Sequence, residues 1–579
     1  MELALVAVAA VVVLVGVSLV SGRIGIAAPL VLVVVGIGIG YLPWVPLVEI
    51  NPEIILLGVL PPLLYAAAMN VPFVDFRRNL RPVAGLSVLL VILSALLVGW
   101  ILHLAVPVLP FPAAVALGAV ISPPDAVAAT SIGKRLGLPE RIVSILEGES
   151  LVNDATSLVL LRTALAAVSG SFVFWEAAGA FAFSVVAAIG VGLLMGFITV
   201  WIRARLNNPV HDTLVSFVVP FVAFIPAEVI GASGVLSVVV TGLYTGYHSV
   251  RRFSAVARTN ERLNWRTVQF ILENGVFLIM GLQLHVLVNE VTDSSFHLGH
   301  VALIAGGLVL LLIVSRALFV VPLVFLMRGE TGRKRARGDE LARLEAKLAR
   351  NGRANDERAQ RRLKLMQDRA KADLDHEIEQ QLGWRDGVVL TWSAMRGVVT
   401  LAAAQSISTD VPYRPQIILI AFLVAVATLL LHGLTLPAVI KWLWPRGVKS
   451  GVDNTEVEAL SHDLVDAGLE AIDDELTVES EDPDRVMTPE AIVQRAKIST
   501  KAALGPLALR FHETGSVLVP TAETPAESYL RLTRIALEAQ RATLIEERAI
   551  GRYSSKALRA AGLALDAQEA RLHPLIGEE

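Results

Sequence analysis

The strongest constraint on this chain is a succession of apolar runs of membrane-spanning length between residues 3 and 327, resumed between 388 and 443. A helix needs roughly 20 mainly apolar residues to cross the hydrocarbon core. In lipid its backbone N–H and C=O groups must be satisfied within the segment. About thirteen stretches meet that requirement. They lie near 3–20, 24–42, 52–70, 82–107, 113–132, 142–168, 174–202, 212–230, 234–249, 267–289, 299–327, 388–408 and 414–443. The first lacks a basic flank, since Glu2 is the only early charge, so it reads as a span and not as a signal peptide. The predicted fold class is an all-α polytopic membrane protein.

Charge is scarce and unevenly placed. Of the 579 residues only 18% are charged, against about 25% in a soluble domain. Much of that charge sits in 329–387 and after 449. The chain therefore divides into a membrane domain (1–328), a charged insertion (329–387), two further membrane helices (388–445) and a cytoplasmic tail (446–579). In the insertion, ELARLEAKLAR spaces its apolar residues by three and four, which predicts a helical hairpin. The tail opens as an acidic linker and regains helical periodicity in SYLRLTRIALEAQRATLIEERAI. There are no cysteines, which excludes disulfides, thiolate metal sites and cysteine nucleophiles. The net charge of −3 gives no global bias toward nucleic acid.

Loop charges set the orientation. Alternate loops carry Arg23; Arg77, Arg78 and Arg81; Lys134, Arg135 and Arg141; Arg203 and Arg205; and Arg251, Arg252, Arg258, Arg262 and Arg266. The loops between them carry Glu49, Glu176, Glu290 and Asp293, and almost no base apart from Arg414. Cytoplasmic loops are the basic ones, so the N-terminus is expected outside and the C-terminus in the cytoplasm. Thirteen helices would place the first six and last six in opposite orientations. The fifth of each half then form a pair, one carrying SPPDA at 122–126 and the other WSAMRG at 392–397. Interrupted helices in matching positions of two inverted repeats are the expected pointer to a transport site.

An ionisable side chain at membrane depth costs at least about 2.5–3.5 kcal/mol and is a functional candidate by default. Asp125 follows Pro123 and Pro124, which withhold backbone donors and free carbonyls beside a carboxylate. In EGESLVNDA, helical spacing puts Glu147, Ser150 and Asp154 on one face, with Glu149 and Asn153 on a neighbouring stripe. A carboxylate buried in apolar surroundings is disfavoured as a bare charge. It is satisfied by a proton or by a hard cation that takes oxygen ligands. Alternating access of such a site exchanges the two ions. Arg316 needs a carboxylate, and Glu149 is the expected partner. Arg396 is expected to offset negative charge at the second break. Glu273 is balanced between a local and a functional role, Glu147 reads as merely solvated, and Arg162 as snorkelling to the interface.

These motifs resemble the sodium/hydrogen exchanger (monovalent cation:proton antiporter) family. The resemblance rests on SPPDAVAATSI, EGESLVNDATSLVL, ENGVFLIMGLQL, the arginine of VSRALFV and WSAMRGVVTLA, in order across residues 1–445. It implies about thirteen helices in inverted repeats, two crossed unwound helices, and a homodimer in the cell membrane. It makes Asp154 the essential ion- and proton-binding carboxylate, with Asp125, Ser150 and Asn153 around it. Asp154, Asp125 and Ser150 would ligate transported Na⁺, with no cofactor. Glu149 and Arg316 become a stabilising ion pair. Asn153 before Asp154 resembles the electroneutral branch. Many members carry Thr where this chain has Pro124, which removes a side-chain ligand.

Other readings are a K⁺/H⁺ antiporter and a transporter-like sensor. An intramembrane hydrolase would need a nucleophile or metal set, and the chain has no HExxH.

Overall fold

A computed structural model describes residues 2–24, 26–43, 52–168, 174–206, 208–292, 298–350, 382–407, 411–444, 454–481, 488–504 and 525–572. Its elements are helices, with no strand among the described residues. In chain order they are α1 (Glu2–Ile24), α2 (Ala28–Gly40), α3 (Ile54–Asn70), α4 (Phe73–Arg78), α5 (Leu80–Ala105), α6 (Phe111–Ile121), α7 (Val127–Leu136), α8 (Glu140–Val168), α9 (Phe174–Arg203) and α10 (Pro209–Val229). There follow α11 (Gly234–Arg252), α12 (Ala255–Thr292), α13 (Leu298–Arg350), α14 (Trp384–Trp392), α15 (Val398–Gln405) and α16 (Arg414–Leu443). The tail supplies α17 (Asn454–Glu481), α18 (Glu490–Leu504), α19 (Pro525–Ile550) and α20 (Ser555–Leu572). Among the described residues seven helices are long and apolar enough to cross a membrane, accompanied by four shorter apolar ones.

The apolar surface is sorted for lipid on one side and packing on the other. On α13, Leu310, Val314, Leu318, Val321 and Phe325 are exposed. Leu308, Leu312, Arg316, Val320 and Val324, offset around the same helix, are buried. A spacing of four keeps each set on one face. Arg316 thus points inward.

Two expected spans are each split in two. The stretch 113–132 becomes α6 and α7, separated at 122–126, and 388–408 becomes α14 and α15, separated at 393–397. The stretches 212–230 and 234–249 are two helices, α10 and α11. They are joined by a turn in which Gly231 takes φ +77°, a conformation that Gly enters without steric cost. Pro220 and Pro226 lie within α10 without ending it.

The chain divides into two compact units. One comprises Met1–Ser249, Glu261–Glu330 and Gln381–Lys449; the other comprises Val250–Asn260, Thr331–Gln380 and Ser450–Glu579. In the second, the expected acidic linker is a 28-residue helix, α17. Leu460, Leu464, Gly468 and Ile472 recur every fourth residue, and the three apolar side chains among them are buried. Gly468 admits Thr500 and Gln540 against its backbone. The acidic residues lie between these positions, so composition concealed the periodicity. In the same unit Arg258 pairs with Asp566. In the charged insertion, α13 runs on without a break to Arg350. The returning arm of the expected hairpin lies outside the described residues.

Candidate functional site

The two helix breaks touch. The Asp125 N–H donates to Met395 O across them at 2.6 Å. Gly397 lies so close to Asp125 that a Cβ there would fall inside its carboxylate. Only a residue without a side chain permits that approach. Asp125 Oδ1 accepts from the Val127 N–H at 2.9 Å, so the aspartate also caps the start of α7. Pro123 and Pro124 give the break no backbone donors, and the Pro124 carbonyl is left to accept from Asn153 Nδ2 at 2.6 Å.

Helix α8 brings the remaining carboxylates. Ser150 Oγ accepts from the Ala126 N–H at 3.4 Å. Asn153 is fully buried, and its Oδ1 has no partner among the described residues. Asp154 is 9% exposed, and its carboxylate feels the negative charge of Asp125. Among the described residues nothing donates to it. Ser157 Oγ donates to Ala119 O at 2.9 Å and holds α8 against α6. Asp125, Ser150, Asn153 and Asp154 are thus brought to one place by the break at 122–126 and the single helix α8.

Glu149 points elsewhere. Its two oxygens accept from Arg316 Nη1 and Nη2 at 2.6 and 2.7 Å, with both side chains buried. Arg316 Nε donates to Leu390 O at 2.9 Å. The guanidinium therefore joins α8, α13 and α14.

Among the described residues Arg396 bonds to no carboxylate. Its Nε donates to Ile121 O at 2.9 Å, Nη2 to Ser122 O at 3.4 Å and Nη1 to Ala394 O at 2.6 Å. Ile121 and Ser122 end α6, where unpaired carbonyls form the negative end of the helix dipole. The groups it bonds to are carbonyl dipoles.

The other charges have partners of their own, and of them Glu273 also feels the charge of Asp125. Glu147 pairs with the exposed Lys134 at 2.5 Å. Arg162, read as snorkelling to the interface, is largely exposed and pairs with Glu228 at 2.8 Å. Glu273 accepts from Gln269 at 2.6 Å. Among the described residues no group of three His, Asp or Glu side chains forms a metal-binding cluster.

The sequence reading missed two features. Arg203, counted as a loop charge, is buried and takes two carboxylates, Asp212 at 2.7 Å and Glu261. No local motif announces this, because the partners are 9 and 58 residues away. Gly397 is the second, the last residue of the WSAMRG motif. Its position beside an intramembrane arginine was the available signal.

A family model described as "Sodium/hydrogen exchanger, transmembrane" matches residues 8–442. An uncharacterized Na(+)/H(+) exchanger of Mycobacterium tuberculosis is 29% identical over 428 residues, 72% of this chain and 71% of the relative. The Na(+)/H(+) antiporter ApNhaP of Aphanothece halophytica is 27% identical over 418 residues, covering 72% and 69%. A sodium, potassium, lithium and rubidium/H(+) antiporter of Bacillus pumilus is 33% identical over 269 residues, 45% of this chain and 40% of the relative. Among solved structures, the sodium proton antiporter MjNhaP1 of Methanocaldococcus jannaschii aligns with a TM-score of 0.55 at 17% identity. It covers 77% of this chain and 100% of its own, which is a likeness of fold. With the family match spanning most of its length, the chain belongs to the sodium/hydrogen exchanger family of monovalent cation/proton antiporters.

Proposed function

We propose that the chain exchanges Na⁺ for H⁺ across the cell membrane by alternating access, the two ions competing for Asp154 and Asp125. One observation carries the reading. Asp154 is buried beside a second carboxylate, and no described residue donates to it. A charge so placed needs a mobile counter-charge, and a proton and a small cation are alternative ways of supplying one. The Ser150 hydroxyl and the free Asn153 Oδ1 are the neutral oxygens beside it. Asn153 holds the place of a second adjacent carboxylate, which favours exchange of one cation for one proton. Glu149 with Arg316 is the structural pair, and Arg396 compensates charge at the breaks. The proposed assembly is a homodimer with its N-terminus outside and its C-terminus in the cytoplasm, supporting pH and sodium homeostasis without a cofactor.

The test is proton flux in proteoliposomes with Na⁺, Li⁺ and K⁺ compared, with and without an imposed voltage. Na⁺-driven, voltage-independent flux is expected. Asp154→Asn is expected to abolish it while elution and melting behaviour stay unchanged. Exchange retained in that variant overturns the site. A second reading, K⁺/H⁺ exchange, has support in Pro124, which offers no hydroxyl at the break. The name of the Bacillus pumilus relative also includes potassium. Flux driven by K⁺ in preference to Na⁺ would establish it.

A further inference from the structure

The last transmembrane helix holds one feature that the exchange site does not use. From Ile417 to Ile440, α16 carries three polar side chains, Thr428, His432 and Thr435, in an otherwise apolar run. They are four and three residues apart, so they share one face. Thr428 and His432 meet the segment 393–397 that interrupts the second broken helix, and Thr435 meets Trp392, the last residue of α14 before it. Thr428 Oγ1 accepts from the Arg396 N–H at 3.3 Å. His432 Nδ1 lies 3.2 Å from Ala394 O. Thr435 Oγ1 accepts from Trp392 Nε1 at 2.8 Å.

Both threonine hydroxyls donate back to their own helix, Thr428 to Val424 O and Thr435 to Leu431 O. Their lone pairs are left for the break. A carbonyl only accepts, so His432 Nδ1 must carry its proton. Its Nε2 has no partner among the described residues, which fits the neutral tautomer. Ala394 O accepts from Arg396 Nη1 as well, so histidine and arginine fix one carbonyl between them.

We infer that Thr428, His432 and Thr435 form a positioning rail that fixes Met395 and Arg396 against Asp125 and so sets the cation affinity of the exchange site. The inference rests on the exchange reading above. These residues do not touch the ion. They act through the Met395 carbonyl on Asp125 and through the Arg396 side chain on the end of α6.

The test uses the full chain in proteoliposomes, with Na⁺ concentration varied at fixed pH gradient. Thr428→Val and His432→Leu each remove one bond, worth about three- to tenfold in an affinity. KM for Na⁺ is expected to rise by about that factor while the maximal rate stays within about twofold. Thr428→Ser keeps the hydroxyl, and His432→Asn keeps a donor near the Nδ1 position; both are expected to restore the KM. If one apolar variant yields no folded protein, the comparison within the other pair decides. Unchanged KM in an active chain overturns the rail alone. A wild-type chain without cation-driven proton flux overturns the exchange reading and the rail together.

Discussion

Removing the Glu149 carboxylate is the sharpest structural perturbation available in this protein. Glu149→Ala leaves the Arg316 guanidinium buried with its Nε bond to Leu390 O and without its two charge-assisted bonds. Breaking a buried pair by deleting one partner costs about 3–5 kcal/mol. An unfolding entropy of about 2 cal/mol/K per residue, over a membrane domain of this size, makes 1 kcal/mol worth about 1 °C. The variant should therefore melt about 3–5 °C lower, read by fluorescence-detected size exclusion after heating. Arg316→Met should lose a comparable amount, because it strands Glu149. Glu149→Leu combined with Arg316→Met should recover much of the loss, since an apolar pair of similar volume replaces an ion pair at little cost. Single variants that melt with the wild type would refute the pairing energetics. So would a double variant whose loss equals the sum of the single ones.

Three further outcomes follow from the geometry. Gly397→Ala should impair folding or abolish exchange, because the added Cβ meets the Asp125 carboxylate, whereas Gly38→Ala, where nothing lies within 4 Å, should behave as wild type; equal behaviour of the two in flux and melting would contradict the close approach. Pro124→Thr should change KM for Na⁺ relative to K⁺ by about threefold or more, by restoring a hydroxyl at the break; an unchanged ion profile would mean that this side chain does not reach the cation. In the second unit, burial alone would raise the pKa of Glu479, but donors from the Thr488 backbone, the Thr488 hydroxyl and Arg531 hold it below its usual value. A depressed carboxylate stabilises the fold above its unfolded pKa of about 4.3 and loses that contribution as pH falls through the lower folded value. Hydrogen exchange of α17 and α19 should accelerate in that acid window, and Glu479→Gln should flatten the dependence; a variant with the same acid profile as the wild type would refute it.

The legible parts of the site were those governed by local cost. An apolar run with two prolines and an aspartate has to break, and 122–126 does so. A buried arginine needs compensation, and Arg316 has Glu149. Arg396 obeyed the same rule in a form that sequence does not display, because backbone carbonyls compensate it and every residue has one. Arg203 read as a loop charge because its carboxylates come from other helices. The acidic α17 read as a linker because charge masked a four-residue apolar repeat. Thr428, His432 and Thr435 left a trace in their spacing, but three mild polar residues in 24 do not identify what they face.

That Arg396 spends its charge on carbonyl dipoles has an electrostatic consequence. Glu149 and Arg316 cancel, and the two carboxylates of the proposed exchange site, Asp125 and Asp154, stand against the one guanidinium of Arg396, a formal sum of −1. One proton brings that sum to zero, and so does one alkali-metal ion. On the exchange reading the vacant carrier would have to drag a whole uncompensated charge through hydrocarbon-like surroundings, at a cost of at least about 2.5–3.5 kcal/mol. A divalent ion would leave +1 and meet a similar penalty. On that reading slippage and valence would both follow from one sum, with reorientation easiest when the site carries a single added positive charge, whichever ion supplies it.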